Sequence, residues 1–200
     1  MKDISRLLIA LTLIAAGAGL ILSLVEGVTR EPIKEQRRIQ MLKALSAVLP
    51  EFDNSPDSDT VVLENGVDAK GNPVQVIFYR GRKGDELTGT AFKVVAPDGY
   101  SGNIEVMVGV KPDETLQAIE ILAHAETPGL GSKITEPWFK DLFKSKGLDN
   151  ADWRVKKDGG EFDQITGATI SPRAIVGAIK KGLTFYREHK QEIVSQGAAQ

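Results

Sequence analysis

The stretch Ile104-Glu105-Val106-Met107-Val108-Gly109-Val110 sets Ile104, Val106, Val108 and Val110 at alternate positions. Successive strand residues point to opposite faces, so a period of two puts these four on one face of a β-strand. Val74, Val76 and Phe78 repeat the pattern upstream. A half-buried antiparallel sheet accommodates strands of this kind. Further strands are expected at residues 60–63, 89–95 and 116–122, with glycine and proline in the gaps between them. The sheet should therefore have about five strands.

Helical spacing takes over downstream. Trp138, Phe139, Leu142 and Phe143 form an apolar stripe within residues 133–146, which predicts a short helix over the sheet with Trp138 in the core. Ile175, Ile179, Leu183 and Tyr186 mark one face of a final helix, with Ser171 expected as its N-cap and Pro172 at its first position. Residues 191–200, ending SQGAAQ, are expected to form a flexible tail.

Upstream, residues 7–25 (LLIALTLIAAGAGLILSLV) carry no charge. At about 1.5 Å per residue such a helix nearly spans a bilayer core. Lys2, Arg6 and the small residues Ala16-Gly17-Ala18 also suit a cleaved signal peptide, but the apolar run continues through Val25 and favours an uncleaved anchor. Orientation stays open on charge alone, because Arg30, Lys34, Arg37 and Arg38 after the span outnumber Lys2 and Arg6 before it. Beyond Pro32, Ile39, Leu42, Leu45 and Leu49 recur at helical spacing up to Pro50 and predict a connecting helix. The acidic, turn-rich residues 51–59 read as the linker that follows. The expected organisation is an N-terminal end and transmembrane anchor at 1–29, a connecting helix at 30–50, an α+β domain at 51–190 and the tail at 191–200.

Composition narrows the chemistry. Net charge is -2, from 25 Lys and Arg against 27 Asp and Glu, so no global basic field exists to hold a nucleic acid. The absence of cysteine excludes disulfides, a thiol nucleophile, Cys-held zinc and an all-Cys iron–sulfur cluster within this chain. No glycine fingerprint of the Rossmann type is present, which argues against a free-standing nicotinamide-dependent reductase.

Residues 163–172 (DQITGATISP) place hydroxyls, a glycine and a small residue just before the final helix. A helix start offers unpaired N–H groups and partial positive charge, Gly167 lets backbone approach closely, and Arg173 is expected to add a nearby cation. Thr169 would sit beside this anion site. Read alone, the segment is better taken as a turn capped by Ser171. Residues 124–131 (HAETPGLG) follow a predicted strand. There Pro128 stiffens the loop, while Gly129 and Gly131 remove side-chain bulk so that amides can approach a flat ring, with Thr127 and Leu130 as polar and apolar contacts. His124 and Glu126 supply too few ligands for a closed metal site and are expected in a structural or ligand-orienting role. His189, among Arg187, Glu188 and Lys190, reads as a solvated histidine without function.

Residues 163–169 resemble a flavinylation motif of aspartate, two variable positions, Ser or Thr, then Gly, Ala and Thr, and residues 124–131 resemble the HxETPGLG loop of the same FMN-binding domains. With the anchor and the strand-rich domain, the chain resembles the G subunit of the Rnf/Rsx ion-translocating electron transport complex over nearly its whole length. The C subunit of the sodium-pumping NADH:quinone oxidoreductase, which is longer, is the second resemblance. Ser171 stands where threonine is frequent in the family and Thr166 where serine is also common; neither touches the acceptor hydroxyl.

The resemblance implies an FMN-binding domain carrying FMN covalently through a phosphoester on Thr169. Thr166, Gly167, Ala168, Ser171, Glu126, Thr127, Gly129, Leu130 and Gly131 would form the cofactor site, with no catalytic side chain. It further implies an electron relay in the bacterial inner membrane, with a single pass and the domain on the periplasmic or outer side. Its partners would be other membrane subunits of the complex, the lipid bilayer and a flavin transferase that uses FAD and magnesium. A non-redox assembly role is the alternative of a different class.

Overall fold

The expected alternation builds the sheet. In the computed structural model, which describes residues 2–67 and 71–195, five strands run β1 Thr60–Val67, β2 Pro73–Lys83, β3 Glu86–Ala96, β4 Ile104–Val110 and β5 Leu116–Ala123. Each pairs antiparallel with the next in sequence, in the order β1-β2-β3-β4-β5. Ile104, Val106, Val108 and Val110 are all fully buried on one face of β4. The Val74–Val76–Phe78 face is buried only at its Phe78 end, since Val74 lies on the exposed part of β2.

The inner face meets α3, Ile170–Ser195, which buries Ile175, Val176, Ile179, Leu183 and Tyr186. Aromatic rings make much of this contact: Phe92 stacks on Tyr186 at 5.9 Å between centroids, and Phe78 lies 5.2 Å from Phe92. Phe143 and Phe162 stack at 4.9 Å and close the core at the β5 side. Each large buried apolar side chain contributes about 1.5–3 kcal/mol through removal from water.

Several expectations need correction. The helix predicted across 133–146 is a 3-10 turn at Gly131–Thr135 followed by a short α2 at Pro137–Asp141. Pro137 lacks an N–H and opens a new helix rather than continuing one. This break turns Trp138 outward, 41% exposed with its Nε1 donating to Glu136, while Phe139 and Phe143 fill the core. Helix α3 starts at Ile170, so Ser171 lies inside its first turn and is not the N-cap. The tail expected from residue 191 begins later, because α3 runs to Ser195 with Ile193 fully buried. Its remaining residues, 196–200, lie outside the described residues.

The N-terminal helices also differ from expectation. Anchor and connecting segment form one helix, α1, Lys2–Val48, with Pro32 inside it. A proline in a helix interior costs about 3 kcal/mol, and the helix formers that follow it in EQRRIQMLKAL carry the helix on. The chain divides after Met41 into two units. In the first, α1 is the one helix among the described residues long and apolar enough to cross a membrane. Thr12, inside the apolar run, donates its hydroxyl to the Leu8 carbonyl at 2.8 Å, so it exposes no unmet donor there.

In the second unit, Ala44, Leu45, Val48 and Leu49 are buried. A Cβ placed on Gly109 would lie 1.9 Å from the Val48 carbonyl oxygen, so glycine there lets the end of α1 sit directly on the outer face of the sheet. The sheet is thus covered on both faces at Gly109, while its outer face is exposed toward Val62, Ile77 and Val95. The stretch 51–59 is pinned, not a free linker. Asp59, 6% exposed, accepts from Arg80 Nε at 2.7 Å and Arg82 Nε at 2.8 Å. Asn54 exchanges hydrogen bonds with the Arg80 carbonyl and the Arg82 amide, both at 2.9 Å.

Candidate functional site

Where β5 ends at Ala123, the chain leaves the sheet as an extended segment and then turns over residues 127–130. The Leu130 amide donates to the Thr127 carbonyl at 3.2 Å. Pro128 and Gly129, the latter at φ 74°, occupy the two central positions, a combination suited to a type II turn. The Gly129 amide donates to Ser132 Oγ at 2.9 Å, which fastens the turn to the following 3-10 segment.

The second segment is built by a tighter turn. Ile165, 3% exposed, anchors it in the core, and the Ala168 amide donates to the Ile165 carbonyl at 2.9 Å. Gly167 supplies the φ of 81° that this reversal requires. Thr169 follows at the N-cap position of α3, its carbonyl accepting the Arg173 amide at 3.1 Å. The amides of Ile170 and Ser171 precede that first intrahelical bond, at the positive end of a 26-residue helix.

The two segments meet. Glu126, Thr127, Leu130 and Gly131 line one side of a cleft of about 310 Å3, and Gly167, Ala168, Thr169, Ile170 and Ser171 line the other. Thr166 and Gly129 shape the two turns without lining the cleft. Pockets for small ligands commonly begin near about 300 Å3, so this cleft lies at the small end of that range. Its rim is apolar, with Tyr100, Leu130 and Ile170 all exposed.

Glu126 joins the walls. It is 4% exposed, and its Oε2 accepts Ser171 Oγ at 2.5 Å while its Oε1 accepts the Ser101 amide at 3.1 Å. Its own amide donates to His124 Nδ1 at 3.2 Å, which gives His124 a structural contact. A Cβ on Gly131 would come within 2.6 Å of Glu126 Oε2 and 3.1 Å of Ser171 Oγ. Glycine at 131 thus leaves room for the Glu126 carboxylate beside the cleft that it lines.

Arg173 does not serve the cleft as expected. Its guanidinium is engaged by Asp158, with Nε donating to Oδ2 at 2.6 Å and Nη2 to Oδ1 at 2.7 Å. That hydrogen-bonded pairing holds the Asp158 carboxyl below the ordinary carboxylate range and raises the guanidinium. Asp163 is likewise paired, with Lys156 at 2.7 Å. His189 is not simply solvated: its ring packs on Phe185 with centroids 4.3 Å apart and Nδ1 lies 2.9 Å from the Phe185 carbonyl.

Sequence reading missed the loop between β3 and β4. Tyr100, 68% exposed, stands on the rim, and Ser101 holds Glu126. An aromatic residue inside the turn-rich run Pro97-Asp98-Gly99-Tyr100-Ser101-Gly102 was the available signal.

The residues fit a phosphorylated, partly apolar ligand such as FMN. The start of α3, with the hydroxyl residue Thr169, lines the cleft together with apolar side chains able to cover a ring.

Comparison with known proteins agrees. Residues 99–184 match the FMN-binding domain family. The G subunit of the ion-translocating oxidoreductase complex of Aliivibrio fischeri is 40% identical over 197 residues, covering 94% of this chain and 92% of that one. Its namesake in Vibrio cholerae is 37% identical over 182 residues, covering 88% and 87%. Among solved structures, NqrC of Shewanella oneidensis superposes with a TM-score of 0.51 at 21% identity, covering 71% of this chain and 69% of that one. The C subunit of the Na(+)-translocating NADH-quinone reductase from Parabacteroides distasonis gives 0.51 at 18%, covering 76% and 81%. These two likenesses show a shared fold.

Proposed function

This chain belongs to the family of G subunits of ion-translocating oxidoreductase complexes, and from that premise we propose that it is an FMN electron carrier within such a complex, with FMN covalently attached to Thr169. The observation that carries the proposal is the meeting of residues 126–131 and 167–171 in one cleft, with Thr169 at the start of α3.

The Thr169 hydroxyl is the acceptor of the attachment. It loses its proton and its Oγ forms a phosphoester, as the pyrophosphate bond of an FAD donor breaks and AMP leaves. A flavin transferase with magnesium performs this step. When bound, FMN supplies one- and two-electron redox chemistry. The protein's own part is positional. The start of α3 at Ile170 would favour the phosphate by its partial positive charge, and the exposed side chains of Tyr100, Leu130 and Ile170 would pack on the ring and limit its contact with water. No side chain need act as nucleophile in turnover.

The apolar part of α1 anchors the chain in the inner membrane, in contact with lipid and the other membrane subunits, and the flavin domain faces the periplasmic or outer side. A phosphoester keeps the cofactor in a small, outward-facing cleft from which a non-covalent ligand would be lost.

The competing assembly role makes an opposite prediction. In the assembled complex, Thr169→Ala should leave the set of assembled polypeptides unchanged and abolish electron transfer through the complex. Full turnover with Thr169→Ala would overturn the relay and favour the assembly role.

A further inference from the structure

We infer that Glu126 is a positioning residue that sets the Thr169 hydroxyl for attachment, by tying three separate segments of the cleft to one buried carboxylate; the inference rests on the reading of Thr169 as acceptor. Its Oε2 accepts Ser171 Oγ at 2.5 Å, two residues beyond Thr169 in the first turn of α3. Its Oε1 accepts the Ser101 amide at 3.1 Å, next to Tyr100 on the rim. Its backbone opens the turn that carries Leu130.

Burial makes these contacts effective. Ser171 is fully buried and Glu126 is 4% exposed, so water does not compete for the bond between them. Space around both oxygens is kept by glycine: a Cβ on Gly131 would lie 2.6 Å from Oε2, and one on Gly99 would lie 2.9 Å from Oε1. The Glu126–Ser171 bond therefore fixes the rotation of the first turn of α3 relative to the 127–130 turn, and Thr169 lies on that turn's leading edge. Removal of the bond frees the acceptor hydroxyl to wander, and misplacement by about 1 Å costs on the order of a hundredfold in rate.

The test uses full-length apoprotein in detergent, with FAD, magnesium and a flavin transferase, and reads the rate at which the FMN mass appears on the chain. Thermal melting is recorded for every variant. Ser171→Ala removes one oxygen, and Glu126→Met removes both acceptors at similar volume. Each should slow attachment on the order of ten- to a hundredfold while the chain remains folded. Glu126→Gln should restore the rate, since its amide oxygen still accepts from Ser101 and its NH2 can donate to a rotated Ser171 hydroxyl. The double variant Glu126→Met, Ser171→Ala should be no slower than the slower single variant, because both act through one contact.

Should Glu126→Met fail to fold, Ser171→Ala decides alone. Attachment to folded Ser171→Ala at the wild-type rate would overturn the inference, as would a Glu126→Gln rate as low as that of Glu126→Met. Absence of an adduct on wild-type chain under the same conditions would instead overturn the reading of Thr169 beneath it.

Discussion

The Arg173 amide donates to the Thr169 carbonyl at 3.1 Å, which makes Thr169 the N-cap of α3. The backbone of Thr169 thus holds the helix start, while its side chain belongs to the cleft. Thr169→Ala should therefore cost about 1 kcal/mol of stability or less. Chemical denaturation of both chains without cofactor checks this. A loss several times larger would mean that missing flavin in the variant reflects unfolding.

Two glycines near the site should respond in opposite directions to alanine. At Gly131 the new Cβ meets Glu126 Oε2 at 2.6 Å, so Gly131→Ala should destabilise by about 1–3 kcal/mol. At Gly177, within α3, nothing lies within 4 Å of the new atom, and Gly177→Ala should stabilise by about 0.5–1 kcal/mol. Equal effects on the denaturation midpoint would contradict the tight packing around Glu126.

Asp59 faces a fully buried Arg80, whose Nη1 also donates to the Ile193 carbonyl at 3.2 Å. This network ties the entry to β1, strand β2 and the last turn of α3. Asp59→Ala removes the carboxylate and should cost about 3–5 kcal/mol. Hydrogen exchange should show increased opening at the C-terminal end of α3. Unchanged exchange there would place the network's importance elsewhere.

Glu114 sits in the β4–β5 turn and accepts from Lys190 Nζ and Arg187 Nε, both at 2.8 Å. The hydrogen bond from Lys190 is the largest cause that holds its carboxyl below the ordinary value, and partial burial opposes it. The folded chain thus binds this proton less readily than the unfolded chain. Its contribution is fully present above the unfolded pKa, about 4.3, and is lost as pH falls through the lower folded value. Glu114→Gln should lower stability at neutral pH, and its deficit against wild type should shrink as pH falls below about 4. A deficit constant with pH would exclude this linkage.

Because the chain has no cysteine, a single one introduced at exposed Asp85 gives a clean report of topology. An impermeant maleimide added to intact inner-membrane spheroplasts should label Asp85→Cys. Labelling only after the membrane is breached would place the domain on the other side.

The sheet was legible because a period of two is a local property: Ile104, Val106, Val108 and Val110 announce their face without help from the rest of the chain. The two motifs were legible as resemblances for the same reason. What joins them was not. Glu126 and Ser171 stand 45 residues apart, and no spacing rule connects a buried carboxylate to a hydroxyl across that distance. Trp138 was misplaced because a stripe of aromatics looks the same whether the helix continues or restarts at Pro137. Pro32 was given too much weight as a boundary, since the helix formers that follow it in residues 35–45 carry the helix on.

The most direct measurement is the intact mass and visible absorbance of the denatured full-length protein from its native membrane, beside Thr169→Ala. The account predicts that wild type carries the mass of one FMN less one water, together with flavin absorbance that survives denaturation, and that Thr169→Ala carries neither. Wild-type chain of unmodified mass from transferase-competent cells would contradict covalent attachment, and an adduct persisting in Thr169→Ala would place it on another residue.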